Sequence, residues 1–289
     1  MTVVLLTALL APSETAWQRT GNARVAIVEL ESAPFPHRTR AEGYTNRKGE
    51  HFPAETHYAD RSVGIVVPAG YRASDAIDFV VHFHGHRNNV ANVIKQFDLV
   101  RQLDLSGRNA ILVIPQGARD APDEAFGKIE DENGLRNLLN DVAAVLHRDD
   151  ITTSATIGKV IITAHSGGYW PAACSVQRGG LGDRITDVLL FDATYGGLEP
   201  LANFAGGAPG RRMVSIFTSH LADRNYILLT LLRSRKLDFD LLMDGALTPA
   251  QLQPRRSIFI HTRDLAHDDV VSKRDYYALF LRTSELPAR

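Results

Sequence analysis

Apolar positions along the chain fall into two alternating patterns. Short runs, unbroken or alternating, occur at residues 23–30, 62–68, 77–84, 110–115, 160–163, 185–191, 213–218 and 257–261. Runs of this length that are rich in Val, Ile and Phe and end in Gly, Pro or a polar cluster predict strands. Between them the apolar spacing changes to that of a helix. Residues 89–103 carry apolar side chains at 90, 93, 94, 97, 99, 100 and 103, and residues 135–146 carry them at 135, 138, 139, 142, 145 and 146. Further helices are predicted at about 171–178, 223–236 and 270–281. The runs at 110–115 and 185–191 are apolar without alternation, as in strands covered on both faces. Strands alternating with helices predict an α/β fold with a mostly parallel central sheet and helices on both of its faces. Residues 31–58 are polar and carry prolines at 34, 36 and 53, which predicts a loop or a meandering surface segment. Between Thr218 and Ser257 there is space for one helix and at most a small lid near residues 223–253.

The first 22 residues are set apart as an N-terminal segment, and 23–289 read as a single domain, with no internal repeat or linker. Met1 to Ala11 (MTVVLLTALLA) has the length of a signal-peptide apolar region, but no Lys or Arg precedes it and Glu14 falls where cleavage would occur. If residues 1–16 act as a signal peptide, a secreted or periplasmic protein is expected. Otherwise the segment is an extra strand or helix on a cytoplasmic one. No apolar run reaches the roughly 18 residues that a membrane span needs, so integral membrane association is not expected.

Composition narrows the chemistry. A net charge of −1 and the lack of a Lys/Arg-rich run give no basis for binding nucleic acid. One cysteine, Cys174, excludes an intrachain disulfide and a thiolate metal cluster; it reads as a small buried hydrophobe. Oligomeric state is not legible.

Residues 160–170, VIITAHSGGYW, carry the sharpest signal. A β-branched strand runs into small residues around Ser166, and a helix follows at once. Gly167 and Gly168 permit close backbone approach, and such a turn lifts one side chain above the sheet edge. Ala164 stands where glycine is commoner. In parallel sheets, catalytic groups collect beyond the carboxyl ends of the strands. The run at 77–84 ends in His84-Gly85-His86, the next delivers Ser166, the run at 185–191 delivers Asp192, and the loop after the last strand delivers His267.

The chain thus resembles the α/β-hydrolase superfamily of serine hydrolases, esterase- or lipase-like, from about Ser62 to the C-terminus. HFHGH at 82–86 matches the segment after the third strand, AHSGG at 164–168 the nucleophile turn, and AHDDVV at 266–271 the histidine loop. The resemblance implies hydrolysis of a carboxylic ester, thioester, lactone or amide through an acyl-enzyme, a small-molecule acyl substrate and no cofactor. It implies Ser166 as nucleophile, His267 as base, and the backbone N–H groups of Gly167 and His86 as the oxyanion hole. His220 and His261 compete with His267; a loop histidine before an acidic helix start has more freedom to reach back. For the acid, superfamily members more often use a later strand, where Asp223 is available. Asp192, at the end of a buried strand, would be expensive there without a partner and is preferred.

Other readings stand beside this one. A peptidase or amidase would use the same triad. His82, His84 and His86 alternate, so a metal-dependent hydrolase is conceivable, but no H-x-H-x-D-H segment accompanies them; as structural residues they would tie down the oxyanion loop. A non-catalytic binding protein of the same fold is a third possibility. Tyr169, Trp170 and Tyr195 are candidate pocket residues, and Asn88 is a candidate for anchoring the loop or meeting substrate. His165 is expected to pack or hydrogen-bond.

Overall fold

The computed structural model describes residues 15–245, 247–252 and 256–289; Met1–Ala11 and the rest of the signal-peptide segment up to residue 14 lie outside them. Ten strands form one sheet: β1 (Gln18–Thr20), β2 (Ala23–Glu29), β5 (Ser62–Val67), β6 (Ile77–Phe83), β7 (Ile111–Pro115), β8 (Ile157–His165), β9 (Ile185–Phe191), β10 (Arg212–Thr218), β11 (Phe239–Met243) and β12 (Ser257–Thr262). A separate hairpin pairs β3 (Tyr44–Thr45) with β4 (His51–Phe52). The order across the sheet is β1-β2-β5-β7-β6-β8-β9-β10-β12-β11. The first three pairings are antiparallel and the remaining six parallel.

Nine helices complete the chain: α1 (Ala54–His57), α2 (Val90–Gln96), α3 (Leu99–Ser106), α4 (Gly134–Arg148), α5 (Tyr169–Arg178), α6 (Leu198–Gly207), α7 (Ala222–Ser234), α8 (Asp269–Ser272) and α9 (Tyr276–Arg282), counted among the described residues. Strand period two divides them into two layers. Phe79, Val81 and Phe83 of β6 and Val160, Ile162 and Ala164 of β8 face a core built with α4, α5, α6 and α7. Val80 and Ile161 face the opposite core, built with α2, α3, α8 and α9. Buried strands with both faces covered explain why those runs are apolar without alternation.

Arg212 holds the C-terminal helix to the sheet. It is 1 % exposed, and its guanidinium donates to Asp187, to the carbonyls of Leu252, Phe280 and Thr283 and to the Thr283 hydroxyl. Such a charge is tolerated in a core only when its donors are filled in this way.

Several predicted elements are altered. The helix at 89–103 is broken, since Asp98 takes φ 49° between α2 and α3. The C-terminal helix breaks at Arg274, at φ 59°. Beyond α7, which forms where a helix was predicted, the segment with space for a lid supplies the edge strand β11, which pairs parallel with β12. The polar stretch at 31–58 is no mere surface meander, because Phe35, Phe52 and Tyr58 are buried in a small core of their own with Ala118, Ala121 and Ala125. Residues 18–20 of the N-terminal segment pair with β2 at the sheet edge.

Candidate active site

The carboxyl ends of β6, β8, β9, β10 and β12 meet at one edge of the sheet. β8 ends at His165, and Ser166 follows with φ 52°, a left-handed conformation uncommon outside glycine. Residues 166–168 form a short 3₁₀ turn that leads straight into α5. The glycines around this turn answer to contacts rather than to flexibility. A Cβ on Gly85 would lie 2.7 Å from the Ser166 Cβ, and one on Gly168 would lie 2.2 Å from the Phe83 carbonyl oxygen. A Cβ on Gly167 would meet the His86 ring at 2.5 Å. The end of β6 and the serine turn are therefore pressed together backbone to backbone, with His86 against Gly167.

β9 delivers Asp192, also left-handed at φ 47° and with no exposed surface. Its position follows from strand register. Ile216 of β10 pairs with Phe191 and accepts the Asp192 N–H, so Thr218, two residues on, lies beside the carboxylate. Thr218 donates its N–H to Oδ1 at 2.8 Å, and its hydroxyl lies 3.0 and 3.2 Å from the two carboxylate oxygens. His267, in the loop between β12 and α8, places Nδ1 2.7 Å from Asp192 Oδ2. Burial alone would raise the Asp192 carboxyl, but the bonds from His267 and Thr218 outweigh it and hold the group below the ordinary carboxylate range. Asp223 lies exposed in the first turn of α7.

Gly85, His86, Asn88, His165, Ser166 and His267 line one cleft of about 280 Å³, together with Arg87, Asn92, Gln96 and Asp268. Its floor is polar and cross-linked. Asn88 donates to Gln96 and accepts from Asn92, and Gln96 donates to Asp268. His165 is buried under His267, ring centroids 4.6 Å apart, with Nε2 3.2 Å from the His267 carbonyl. Burial, and then the neighbouring His267, push its pKa down to about 3, so it is neutral.

Tyr195 follows Asp192 on the loop after β9 and lies against the His267 ring, centroids 6.4 Å apart. Its hydroxyl lies 2.8 Å from His220 Nε2, and Tyr169 packs on it with centroids 5.9 Å apart. Trp170 does not join them. Its indole N–H donates to Glu130 at 2.9 Å, because the α5 turn aims consecutive side chains in different directions.

The three alternating histidines do not converge. The strand ends at Phe83, and beyond it the alternation lapses. His82 packs between Phe97 and Tyr277 and bonds Thr163. His84 packs on Phe126 of the opposite layer, where it accepts the Gly117 N–H and bonds the Gly85 carbonyl. His86 is half-exposed beside Glu124 at 3.4 Å. His84 thus ties down the loop that carries His86. His261 stacks on Phe217 and bonds Ser219, away from Asp192. His220 sits 3.6 Å from Asp192 Oδ2 and bonds both Thr218 and Tyr195, a link that nothing in the local sequence around residue 220 signals. Asp192, His220 and His267 are spaced closely enough to hold a cation among them. The Nδ1 atoms of both rings are already engaged with Asp192 and Thr218.

No family model and no curated protein matches the chain. Solved structures do. A feruloyl esterase module from Clostridium thermocellum aligns at 16 % identity and TM-score 0.55, covering 94 % of this chain and 92 % of that one. A ferulic acid esterase aligns at 10 % identity and TM-score 0.52, covering 91 % and 98 %. An S-formylglutathione hydrolase from Agrobacterium tumefaciens aligns at 9 % and TM-score 0.50, covering 92 % and 98 %. Among the described residues, no helix is long and apolar enough to cross a membrane. The strand order, the turn at Ser166 and the full-length alignments agree: this chain has the α/β-hydrolase fold.

Proposed function

We propose that the protein is a serine hydrolase that cleaves carboxylic esters through an acyl-enzyme. The observation that carries this reading is the 2.7 Å bond from His267 Nδ1 to the buried Asp192 carboxylate, in a cleft that also opens on Ser166. A serine hydroxyl is a weak nucleophile without a base. A His267 that commits Nδ1–H to Asp192 and leaves Nε2 bare is the tautomer a general base needs. Ser166 Oγ attacks the carbonyl carbon as its proton passes to Nε2. Collapse of the tetrahedral intermediate breaks the bond to the leaving oxygen, which takes that proton. Water then repeats the sequence against the acyl-enzyme.

The developing oxyanion would be met by the backbone N–H groups of Gly167 and His86, each such donor worth roughly 10²–10³ in rate. The contact between Gly167 and His86 supports that pairing. Solved structures of the same fold include feruloyl esterases, so aryl esters belong in the first panel alongside short-chain esters, thioesters and aminoacyl amides. The test is labelling by a fluorophosphonate probe together with hydrolysis of p-nitrophenyl acetate. Both should be present in the wild type and lost in Ser166→Ala. Hydrolysis that survives Ser166→Ala would overturn the reading.

A further inference from the structure

The loop that carries His86 is held by a second loop, the one that follows β7. Gly117 donates its N–H to His84 Nε2 at 3.0 Å, Arg87 donates to the Ala121 carbonyl at 2.8 Å, and Asp120 donates to the Asn88 carbonyl at 3.0 Å. The Asn89 side-chain amide reaches Asp120 Oδ1 at 3.0 Å, and Gln116 accepts the Val90 N–H at 2.9 Å. These bonds run from the end of β6 to the start of α2, on both sides of His86. The His86 ring itself lies 3.4 Å from Glu124. Residues 116–125 are in turn set on the small core built from residues 35–58. Ala118, Ala121 and Ala125 pack there against Phe35, Phe52 and Tyr58. The His57 carbonyl accepts the Arg119 N–H at 2.9 Å, and His57 Nδ1 lies 2.7 Å from the Arg119 carbonyl. The charged anchor is Asp123, next to Glu124. It is 4 % exposed, and its carboxylate accepts from Arg40 Nε at 2.6 Å, Arg40 Nη2 at 2.9 Å and the Tyr58 hydroxyl at 2.9 Å. Its Oδ1 also takes the Ala125 N–H at 3.2 Å. A carboxylate buried in this way stays in place only while those donors fill it.

We propose that Asp123 is a positioning residue of the oxyanion hole: clamped by Arg40 and Tyr58, it fixes the loop after β7 and, through it, the backbone of His86. The inference rests on the serine-hydrolase reading above, in which the His86 N–H meets the developing oxyanion. A donor serves there only within hydrogen-bond reach of the new charge, and a misplacement of about 1 Å costs roughly 10²-fold in rate. Residues 84–89 belong to no strand or helix that could hold them to that tolerance. Gly85 sets one side of the loop, since a Cβ there would lie 2.7 Å from the Ser166 Cβ. The loop after β7 sets the other. Asp123, Arg40 and Tyr58 do not line the cleft, so their effect on the reaction passes through the position of His86. This gives a task in the reaction to residues 35–58, which contribute no group to the cleft.

The experiment measures p-nitrophenyl acetate kinetics in purified full-length variants, with end-point fluorophosphonate labelling to count intact sites. Inhibition by a trifluoromethyl ketone, whose tetrahedral adduct places an oxyanion in the same hole, is measured beside it. Asp123→Asn keeps the shape and removes the charge that Arg40 holds. Per labelled site it should lower kcat at least about tenfold and change KM less than about twofold, because an oxyanion donor acts in the transition state and not in substrate binding. Affinity for the ketone should fall by a similar factor. Tyr58→Phe removes one donor to Asp123 and should act in the same direction to a smaller extent; it carries the test if Asp123→Asn unfolds. Asp131→Asn is the control, since it severs the bond from His37 of the same segment and leaves the Asp123 cluster intact. It should leave kcat and ketone affinity within about twofold of the wild type. Wild-type kcat per labelled site in the folded variants, a loss carried by KM, or a loss that Asp131→Asn reproduces would overturn the proposal. Failure of the serine reading looks different: Ser166→Ala would then be as active as the wild type.

Discussion

Asp192 combines two unfavourable states, a left-handed backbone and a carboxylate with no exposed surface. Aspartate is among the few residues that tolerate the first. The second is tolerated only because His267 and Thr218 fill both carboxylate oxygens. Removing the charge while keeping the shape should therefore act through the tautomer of His267. Asp192→Asn is expected to lower kcat by roughly 10³-fold or more. Asp223→Asn, on an exposed helix turn, should change it less than about twofold, since surface positions away from such features rarely matter. Steady-state kinetics on both variants check this, and the reverse ranking would move the acid to Asp223. Sequence brought Ser166, Asp192 and His267 to one sheet edge because each directly follows or closely trails an apolar run. It could not bring Tyr195 to His220 or Thr218 to Asp192. Those pairings depend on the register of β9 against β10 and on a side-chain network that crosses between loops.

At the scale of elements, the junction of β6 with the serine turn is the most tightly specified contact of the site. The Phe83 carbonyl leaves no space for a Cβ on Gly168, and backbone cannot swing aside. Gly167 instead faces the half-exposed His86 side chain, which can yield. Gly168→Ala should therefore destabilise by about 1–3 kcal/mol through overpacking, while Gly167→Ala should leave stability nearly unchanged and alter kcat through the displaced His86 loop. Urea midpoints beside kcat separate the two, and equal destabilisation would contradict this account. Strands buried on both faces were legible from their unbroken apolar runs. The elements that escaped are those whose pattern is weak: β1 is fully exposed, β11 is a half-exposed edge strand, and α6 is made largely of small residues. The break at Asp98 escaped for the opposite reason, since apolar spacing runs through it unbroken.

For the molecule as a whole, three buried histidines make folding sensitive to acid. Burial is the leading cause in each case: it holds His82 well below its ordinary value, His84 at about 4 and His165 at about 3. An unfolded chain takes up these protons near pH 6.5, the value of a free imidazole, whereas the folded chain refuses them until far lower pH. A group with a depressed folded pKa adds stability above its unfolded pKa and loses it as pH falls through the interval between the two. Stability should accordingly be level above pH 7 and decline from about 6.5 towards 4. Each proton contributes about 1.4 kcal/mol per pH unit, so three together give a slope of about 4 kcal/mol per unit at its steepest. Domains of this kind hold roughly 5–15 kcal/mol in total, so unfolding is expected between about pH 4 and 5. The Asp192 carboxyl, depressed below 3.8, acts only at the bottom of that range. His84→Gln supplies the decisive comparison, because a glutamine carbonyl can still accept the Gly117 N–H that His84 Nε2 now takes. Urea titrations at pH 7, 6, 5 and 4.5 should show the variant losing stability about one third less steeply than the wild type. Identical slopes would mean that His84 is protonated in the folded state, and with it that the loop carrying His86 is looser than its hydrogen bonds imply.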